Sequence, residues 1–211
     1  MSSSTTQASH VANPNLDPVS AKSENLSITP QKKIEDLHAL IQKAGVAMLT
    51  TRAADGELHS RAMVATTPKT ATQLRLVFIA NNVSHKFDEL SNDSHVNVSY
   101  CHTPTTSWAS FSGKATVSQD KAKIKEHWSS SAAAYFGNLN DGIHKGDHDD
   151  PRVSIIEVIP DEIRYWVATQ SNITRAITEV VTSAVGSYTS PGELRTITKQ
   201  EIQLVEGLHT K

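Results

Sequence analysis

Apolar residues follow two rhythms along this chain. Helical spacing shows first at Ile34, Leu37, Leu40 and Ile41, after Thr29-Pro30 and before Gly45. That pattern predicts an amphipathic helix with a Thr cap, Pro at its first position and Gly at its end. Shorter β-type runs follow. Val46 to Thr51 is predicted as a strand, Asp55-Gly56 as a hairpin turn, Glu57 to Thr67 as the returning strand and Leu74 to Ala80 as a third. Three successive strands with short connections suggest an antiparallel meander. Asn81-Asn82-Val83 then leads to Ser84 as an N-cap, with a short helix from His85 carrying Phe87 and Leu90. Val96, Val98 and Tyr100 alternate as in a strand.

The second half repeats the alternation. Thr106 to Ser118 is predicted as a long strand that places Trp108, Ser110 and Ser112 on one face, with Gly113 marking a bend, a bulge or a close backbone approach. Asp120 caps a helix through Trp128, Ala132 to Phe136 forms a further helical turn, and Gly137 to Asp150 is a polar loop. Val153 to Ile159 and Ile163 to Ala168 are two strands, or one strand bent at Pro160. Asn172 caps a helix with Ile173, Ile177, Val180, Val181 and Ala184 on one face. Ser190-Pro191-Gly192 is a turn, Leu194 to Ile197 is extended, and Thr198-x-x-Glu201 is a capping box opening the last helix. The fold class is an all-β core with flanking helices (α+β). Residues 1–28, rich in Ser, Thr, Asn and Pro, are expected to be a disordered tail; 29–170 form the domain, and 171–211 a helical extension packed on it.

Composition narrows the function classes. The 211 residues suffice for one real core, and a net charge of −2 with interspersed signs gives no field for nucleic acid. One cysteine, Cys101, excludes an internal disulfide framework and a multi-cysteine zinc site. No apolar run approaches the ~20 residues of a membrane span, so the cytosol is the expected compartment. No G-x-G-x-x-G, P-loop, G-x-S-x-G or H-E-x-x-H occurs. The His144 to Asp150 stretch has metal-ligand residue types but no pattern that fixes a geometry, and is expected to be a solvated loop without metal.

Candidate chemistry concentrates between residues 59 and 86. A helix starting near Ser84 offers free N–H groups, and Lys86 adds a full charge. This is a place to hold a phosphate, or a capped surface helix with a solvated Lys. Arg61 in mid-strand needs a partner, either a buried carboxylate or a phosphate.

Four blocks, in this order, resemble the FMN-binding split-barrel superfamily. They are Ala47 to Thr51 with Asp55-Gly56 and His59-Ser60-Arg61-Ala62-Met63; Val77 to Ala80 with Ser84-His85-Lys86 and Val96 to Tyr100; Ser112 to Ala115 with Asp120 and Trp128; and Asp150-Pro151 with Val158, Pro160 and Arg164-Tyr165-Trp166. The pattern is most similar to the general-stress-protein branch, which includes a fungal blue-light-inducible protein. It departs at Ala62, where Pro is usual, and in the longer 137–150 loop. The resemblance implies a six-stranded antiparallel split β-barrel pairing as a homodimer, with FMN at the subunit interface. Arg61, Ser84 and Lys86 would hold the phosphate, with His85 between them. His59, Ser60, Ala62 and Met63, with Phe78, Ile79, Ala80 and Asn81, would line the flavin ring. Trp108, Ser110, Gly113, Trp128, Phe136 and Trp166 would form the opposite wall, partly from the other subunit. Two function classes follow: a flavin-dependent oxidoreductase fed by a small-molecule electron donor, or an FMN-binding protein for storage or sensing. A haem- or deazaflavin-binding barrel is a third. Pyridoxamine-phosphate oxidation is disfavoured, because the Arg-rich ending it needs is replaced by Glu206 to Lys211.

Overall fold

A computed structural model describes residues 13–169 and 190–207. Helix α1 is Pro18–Ser23 and α2 is Pro30–Ala44. The Thr29 side chain accepts from Lys32 N–H, and Gly45 closes α2 at φ 72°, a left-handed conformation that glycine adopts without strain. The stripe does what its spacing predicts: Ile34, Leu37 and Leu40 are buried in the main core, with Ile41 packed at its edge.

The strands are β1 Ala47–Arg52, β2 Leu58–Met63, β3 Leu76–Asn81, β4 His95–His102, β5 Ser107–Ser118, β6 Val153–Ala168 and β7 Gly192–Ile197. They form one antiparallel sheet in the order β2-β1-β4-β5-β6-β3, with β7 added to β6. The fold is the split barrel that the sequence implied, with a seventh strand beyond the expected six. The expected β1-β2-β3 meander is not what forms. The hairpin β1-β2 is present, but β3 leaves it and pairs with β6, Leu76 to Val158 through Asn81 to Val153. The reason lies in β3 itself. Four of its six residues are buried and two half-buried, with Leu76, Phe78 and Ala80 in the main core and Val77 in a second cluster with Ile124 and Phe136, a pattern suited to a strand covered on both faces, whereas β2 is largely exposed. The two ends of the sheet still meet, because Thr66 N–H just after β2 donates to Val77 O on β3 at 2.8 Å.

β6 is one long strand rather than two. Its first half carries β3 and its second half β7 along the same edge, while β5 runs along the other. The register slips between Ser112 and Gly113, opposite Pro160. A Cβ on Gly113 would lie 2.2 Å from Ile159 O, so only glycine lets the two backbones close here. Core side chains alternate as they should: Ala109, Phe111 and Ala115 point in, and Trp108, Ser112 and Lys114 point out.

Helices α3 (Lys86–Asn92), α4 (Lys121–His127), α5 (Ser130–Phe136) and α6 (Lys199–Gly207) flank the sheet. Asp120 and Ser129 cap α4 and α5. Thr198 and Glu201 form the expected capping box, Glu201 accepting from Thr198 N–H at 2.7 Å and Thr198 accepting from Glu201 N–H at 3.3 Å. The helix expected after Asn172 lies outside the described residues. The disordered tail expected to Ile28 gives way from Asn13 onward to ordered backbone. Asp17 caps α1, and Asn25 N–H donates to Leu194 O on β7 at 3.1 Å. Leu16 and Leu26 remain exposed, so hydrogen bonds to β7 rather than apolar docking tie the segment down. The hydrophobic criterion for order did not anticipate that. No helix among the described residues is long and apolar enough to cross a membrane.

Candidate functional site

Strands β1 and β2 and helix α3 converge on one buried carboxylate. Glu89 faces β1 from α3 and is 8% exposed. Its Oε1 accepts from His59 Nδ1–H at 2.6 Å. Its Oε2 accepts from Arg61 Nη2–H at 2.6 Å and from the Thr51 hydroxyl. Arg61 Nη1 donates to Leu49 O at 3.2 Å and to Thr51 Oγ1. The cross-strand pairs Leu49–Arg61 and Thr51–His59 place these groups side by side. Burial works to raise the Glu89 carboxyl, but the hydrogen bonds from Thr51, His59 and Arg61 outweigh it and hold the group down at about 2. Of the two partners open to Arg61 from sequence, the carboxylate is present. Those bonds use three of five guanidinium N–H donors and leave Nε–H and one Nη2–H.

The start of α3 differs from the expectation. Ser84 is not its cap. The residue at the cap position is His85, which is helical and makes no capping bond, and the Ser84 hydroxyl instead donates to Asn81 O at 2.8 Å. Ser84 Oγ in turn accepts from Lys86 Nζ. Lys86 also lies over the Phe87 ring at 5.6 Å, and it has no carboxylate at ion-pair distance among the described residues. Burial lowers its pKa, and the nearby Arg61 charge lowers it further. A cation held in this way favours an anion beside it.

Lys86 opens on a cleft of about 730 Å³, a size normal for a cofactor pocket. One wall runs from Ala62 and Met63 at the end of β2 through residues 64–67. A second is Ile79, Ala80 and Asn81 at the end of β3. The third is Trp128, Ser129, Ala132, Tyr135 and Phe136 around α5. Trp128 and Phe136 are stacked at a tilt, 5.8 Å between centroids. His127 faces the cleft and is bonded to the Thr66 hydroxyl at 3.0 Å; burial lowers its pKa, which favours the neutral ring.

The structure thus brings together Ala62, Met63, Ile79, Ala80, Asn81, Lys86, Trp128 and Phe136. Ser84 and Arg61 stand beside Lys86. His59 is drawn to Glu89, and Ser60 faces the Thr50 hydroxyl at 2.6 Å. Phe78 is wholly buried in the core, and the His85 side chain is fully in solvent beside Asp88. Gly113 serves strand contact with β6. Trp108 and Trp166 are register partners on the outward face of the sheet, with Ser110 two residues along, and none of the three lines this cleft. Sequence reasoning missed Glu89, read only as part of a helix, and Tyr135. Glu89 lies three residues after Lys86, the signal that could have flagged it as sharing the Lys86 side of α3. In the 137–150 loop, His144 binds Asp141, His148 is near Asp149, and Asp150 receives Arg152, so the His and Asp residues pair locally.

Comparison with known proteins agrees with this geometry. Residues 32–190 match the family described as pyridoxamine 5'-phosphate oxidase like. The chain is 32% identical over 195 residues to Protein bli-3 of Neurospora crassa, covering 92% of each. In fold it is similar to a Clostridium acetobutylicum protein related to general stress protein 26, with TM-score 0.57 and 12% identity over 82% of this chain and 98% of that one. It is also similar to a pyridoxamine 5'-phosphate oxidase-related, FMN binding protein of Nostoc punctiforme, with TM-score 0.52 and 11% identity over 82% and 98%.

Proposed function

The chain belongs to the pyridoxamine 5'-phosphate oxidase-like family, and we propose from that premise that it binds FMN in the cleft beside Lys86. The observation that carries the reading is the Lys86 ammonium, buried in part, without a carboxylate partner among the described residues, at the edge of a cleft with an aromatic wall. Lys86, Ser84 and the unused donors of Arg61 take the phosphate, a near-dianion at neutral pH. The isoalloxazine ring lies between the ends of β2 and β3 and the Trp128–Phe136 side. The same Nostoc relative described as FMN binding supports this choice of ligand. The bound flavin supplies hydride or electron chemistry; the protein positions it and limits access.

The protein acts as a homodimer in the cytosol. The outward sheet face exposes Met48 and Trp108, with the exposed Cys101 the register partner of Trp108, a surface suited to a second copy. Trp108, Ser110 and Trp166 on that face then have a role in the partner's flavin site. Its activity class is a flavin-dependent oxidoreductase of low turnover, of the general-stress type. The alternative is FMN storage or sensing, favoured by one observation: the cationic side chains next to the cleft at Lys69, Lys123 and Arg75 are already engaged by Glu126 O, Glu157 and Glu206, leaving no evident place for a donor's phosphates.

Titration with FMN and riboflavin, read by flavin fluorescence with light scattering on the saturated protein, tests the site. FMN binds at least tenfold more tightly to a dimer, a difference of about 1.4 kcal/mol. Equal affinity for the two flavins removes the phosphate site. Anaerobic mixing of the FMN-loaded protein with NADPH separates the classes: bleaching at several per second or more, the lower range of ordinary enzymes, marks a reductase.

A further inference from the structure

We propose that phosphate capture at this site is coupled to proton uptake by His59, with Glu89 as the fixed counter-charge that links the two. The inference rests on the reading of the cleft as an FMN site. Its basis is the chain of contacts His59 Nδ1–Glu89 Oε1 at 2.6 Å and Glu89 Oε2–Arg61 Nη2 at 2.6 Å, which joins a half-exposed imidazole to the arginine beside Lys86. Without ligand, Arg61 and Lys86 face the single charge of Glu89, which leaves one net positive charge. A phosphate dianion reverses that sign. Glu89 is already bonded by Thr51, Arg61 and His59 and is strongly held as a carboxylate, so it does not take the proton itself. His59 can. Its Nδ1–H already points at Glu89, and its exposed ring accepts a proton from water on the other nitrogen. The added charge then lies against a carboxylate that shares Arg61 with the phosphate.

The other charged groups on the elements around His59 do not replace it. On α3 they are Lys86, Asp88 and His85, the last two fully or largely in solvent and near each other at 3.5 Å. On β1 it is Arg52, 3.7 Å from Asp93. Along its own hairpin they are Arg61, a permanent cation, and Glu57 and Asp55 in the exposed turn. Among these groups, the His59 imidazole is the one that contacts Glu89 and has a ring nitrogen able to take a proton. Glu89 is a positioning residue here. It holds Arg61 and orients His59 without touching the flavin.

Calorimetric titration of FMN into the full chain at pH 7.5, in buffers of different ionisation enthalpy, reads the proton directly. At that pH the free phosphate is largely the dianion, with its second ionisation near pH 6, and a cationic site could only drive further release from it. Uptake therefore has the opposite sign to any contribution from the ligand. The expected result is net uptake of roughly half a proton per FMN, with affinity falling about threefold per pH unit above neutrality. Riboflavin, which lacks the phosphate, binds without uptake. His59→Gln, which keeps a donor toward Glu89, loses the uptake and flattens the pH dependence. Heat independent of buffer, net release, the same uptake with riboflavin, or uptake that persists in His59→Gln overturns the coupling while the FMN site stands. Absence of FMN binding in every buffer overturns the site and the coupling together.

Discussion

Two of the clusters of partly buried charge in this molecule differ in how completely they are paired. The first joins α2 to β7 and α6. Arg195, 7% exposed, donates to Asp36 and, at 2.7 Å, to Glu193, and lies 5.9 Å over the Tyr165 ring. Lys32 reaches Asp36 and the buried Lys33 reaches Glu201, each at 2.8 Å. Three cations meet three carboxylates. The second joins β1, β2 and α3, where Arg61 pairs with Glu89 and Lys86 has no carboxylate at ion-pair distance among the described residues. The first cluster faces other secondary structure and is neutral. The second borders a cleft and keeps a surplus positive charge. Burial alone does not mark a functional site; an unbalanced charge that adjoins open space does.

The sharpest way to break this contrast is to unbalance the neutral cluster. Arg195→Ala leaves Asp36 and Glu193 sharing too few cations in a region with little water. It should cost about 3–5 kcal/mol of stability, the range for breaking a buried pair, read by denaturant melts. FMN affinity of the folded fraction should not change. A variant that melts normally but loses flavin would show that the two clusters are not separate in role.

The acid limb of stability tests the second cluster from the other side. Glu89 is held at about 2 against an ordinary value of 4.5. A carboxyl lowered on folding adds stability that is fully present above about pH 4.5 and is lost as pH falls toward 2. The size is about 3 kcal/mol from the shift. Glu89→Gln should therefore be less stable than the wild type at pH 7, and the two melting curves should converge near pH 2–3. A gap that does not change with pH would mean the amide loses packing or hydrogen bonds, not an ionised carboxylate.

Lys86→Ala separates binding from stability. Removing a charge-assisted phosphate contact should weaken FMN by about 1.5–3 kcal/mol. The folded protein without flavin should be unchanged or slightly more stable, because a half-buried cation lacking a carboxylate is gone. Arg61→Ala should instead lower both, since it strands Glu89. A Lys86 variant as destabilised as the Arg61 variant would place Lys86 in the structural class and sink the distinction.

Much of this was legible in the sequence, and the failures have physical causes. Helix α2, the Asp55-Gly56 hairpin and the capping box at Thr198 are local events, set by residues within a few positions of one another. Strand partnership is not local. Nothing between Met63 and Leu76 states that β3 will seek β6 rather than β2; the continuous apolar run Leu76 to Ala80 was the available hint of a strand covered on both faces. The cofactor side was legible as residue types but not as contacts. Arg61 plainly needed an anion, yet its pairing with Glu89 depends on α3 packing across β1, which no spacing in the sequence gives. The resemblance places Trp108 and Trp166 with Trp128 on one wall, partly from the other subunit, and a single chain brings only Trp128 to this cleft. The alternation of β5 puts Trp108 on the outward face, and its register partner Trp166 on β6 shares that face, away from the cleft.

The smallest effect concerns a polar group that belongs to neither cluster. Tyr100 on β4 is 2% exposed, its ring meets Phe111 edge-on at 6.0 Å, and its hydroxyl has no hydrogen-bond partner among the described residues. Burial pushes its pKa upward, so it stays neutral and contributes nothing to the charge balance. An unpaired buried hydroxyl forfeits its water bonds and gains none in return. Tyr100→Phe removes that oxygen and keeps the ring, so stability should hold or rise by up to about 1 kcal/mol, with FMN affinity unchanged. A loss of more than about 1 kcal/mol on thermal and denaturant melts would mean that the hydroxyl is satisfied, by an ordered water in the adjoining cavity under α2. The comparison with Lys86 gives the result its meaning. The Tyr100 hydroxyl lacks any partner and Lys86, bonded to Ser84, lacks a carboxylate among the described residues, but Lys86 carries charge at the edge of the large cleft while Tyr100 is neutral beside a smaller cavity. If unpaired polarity alone signalled a ligand, both substitutions would weaken flavin binding; if charge beside open space is the signal, only Lys86→Ala will.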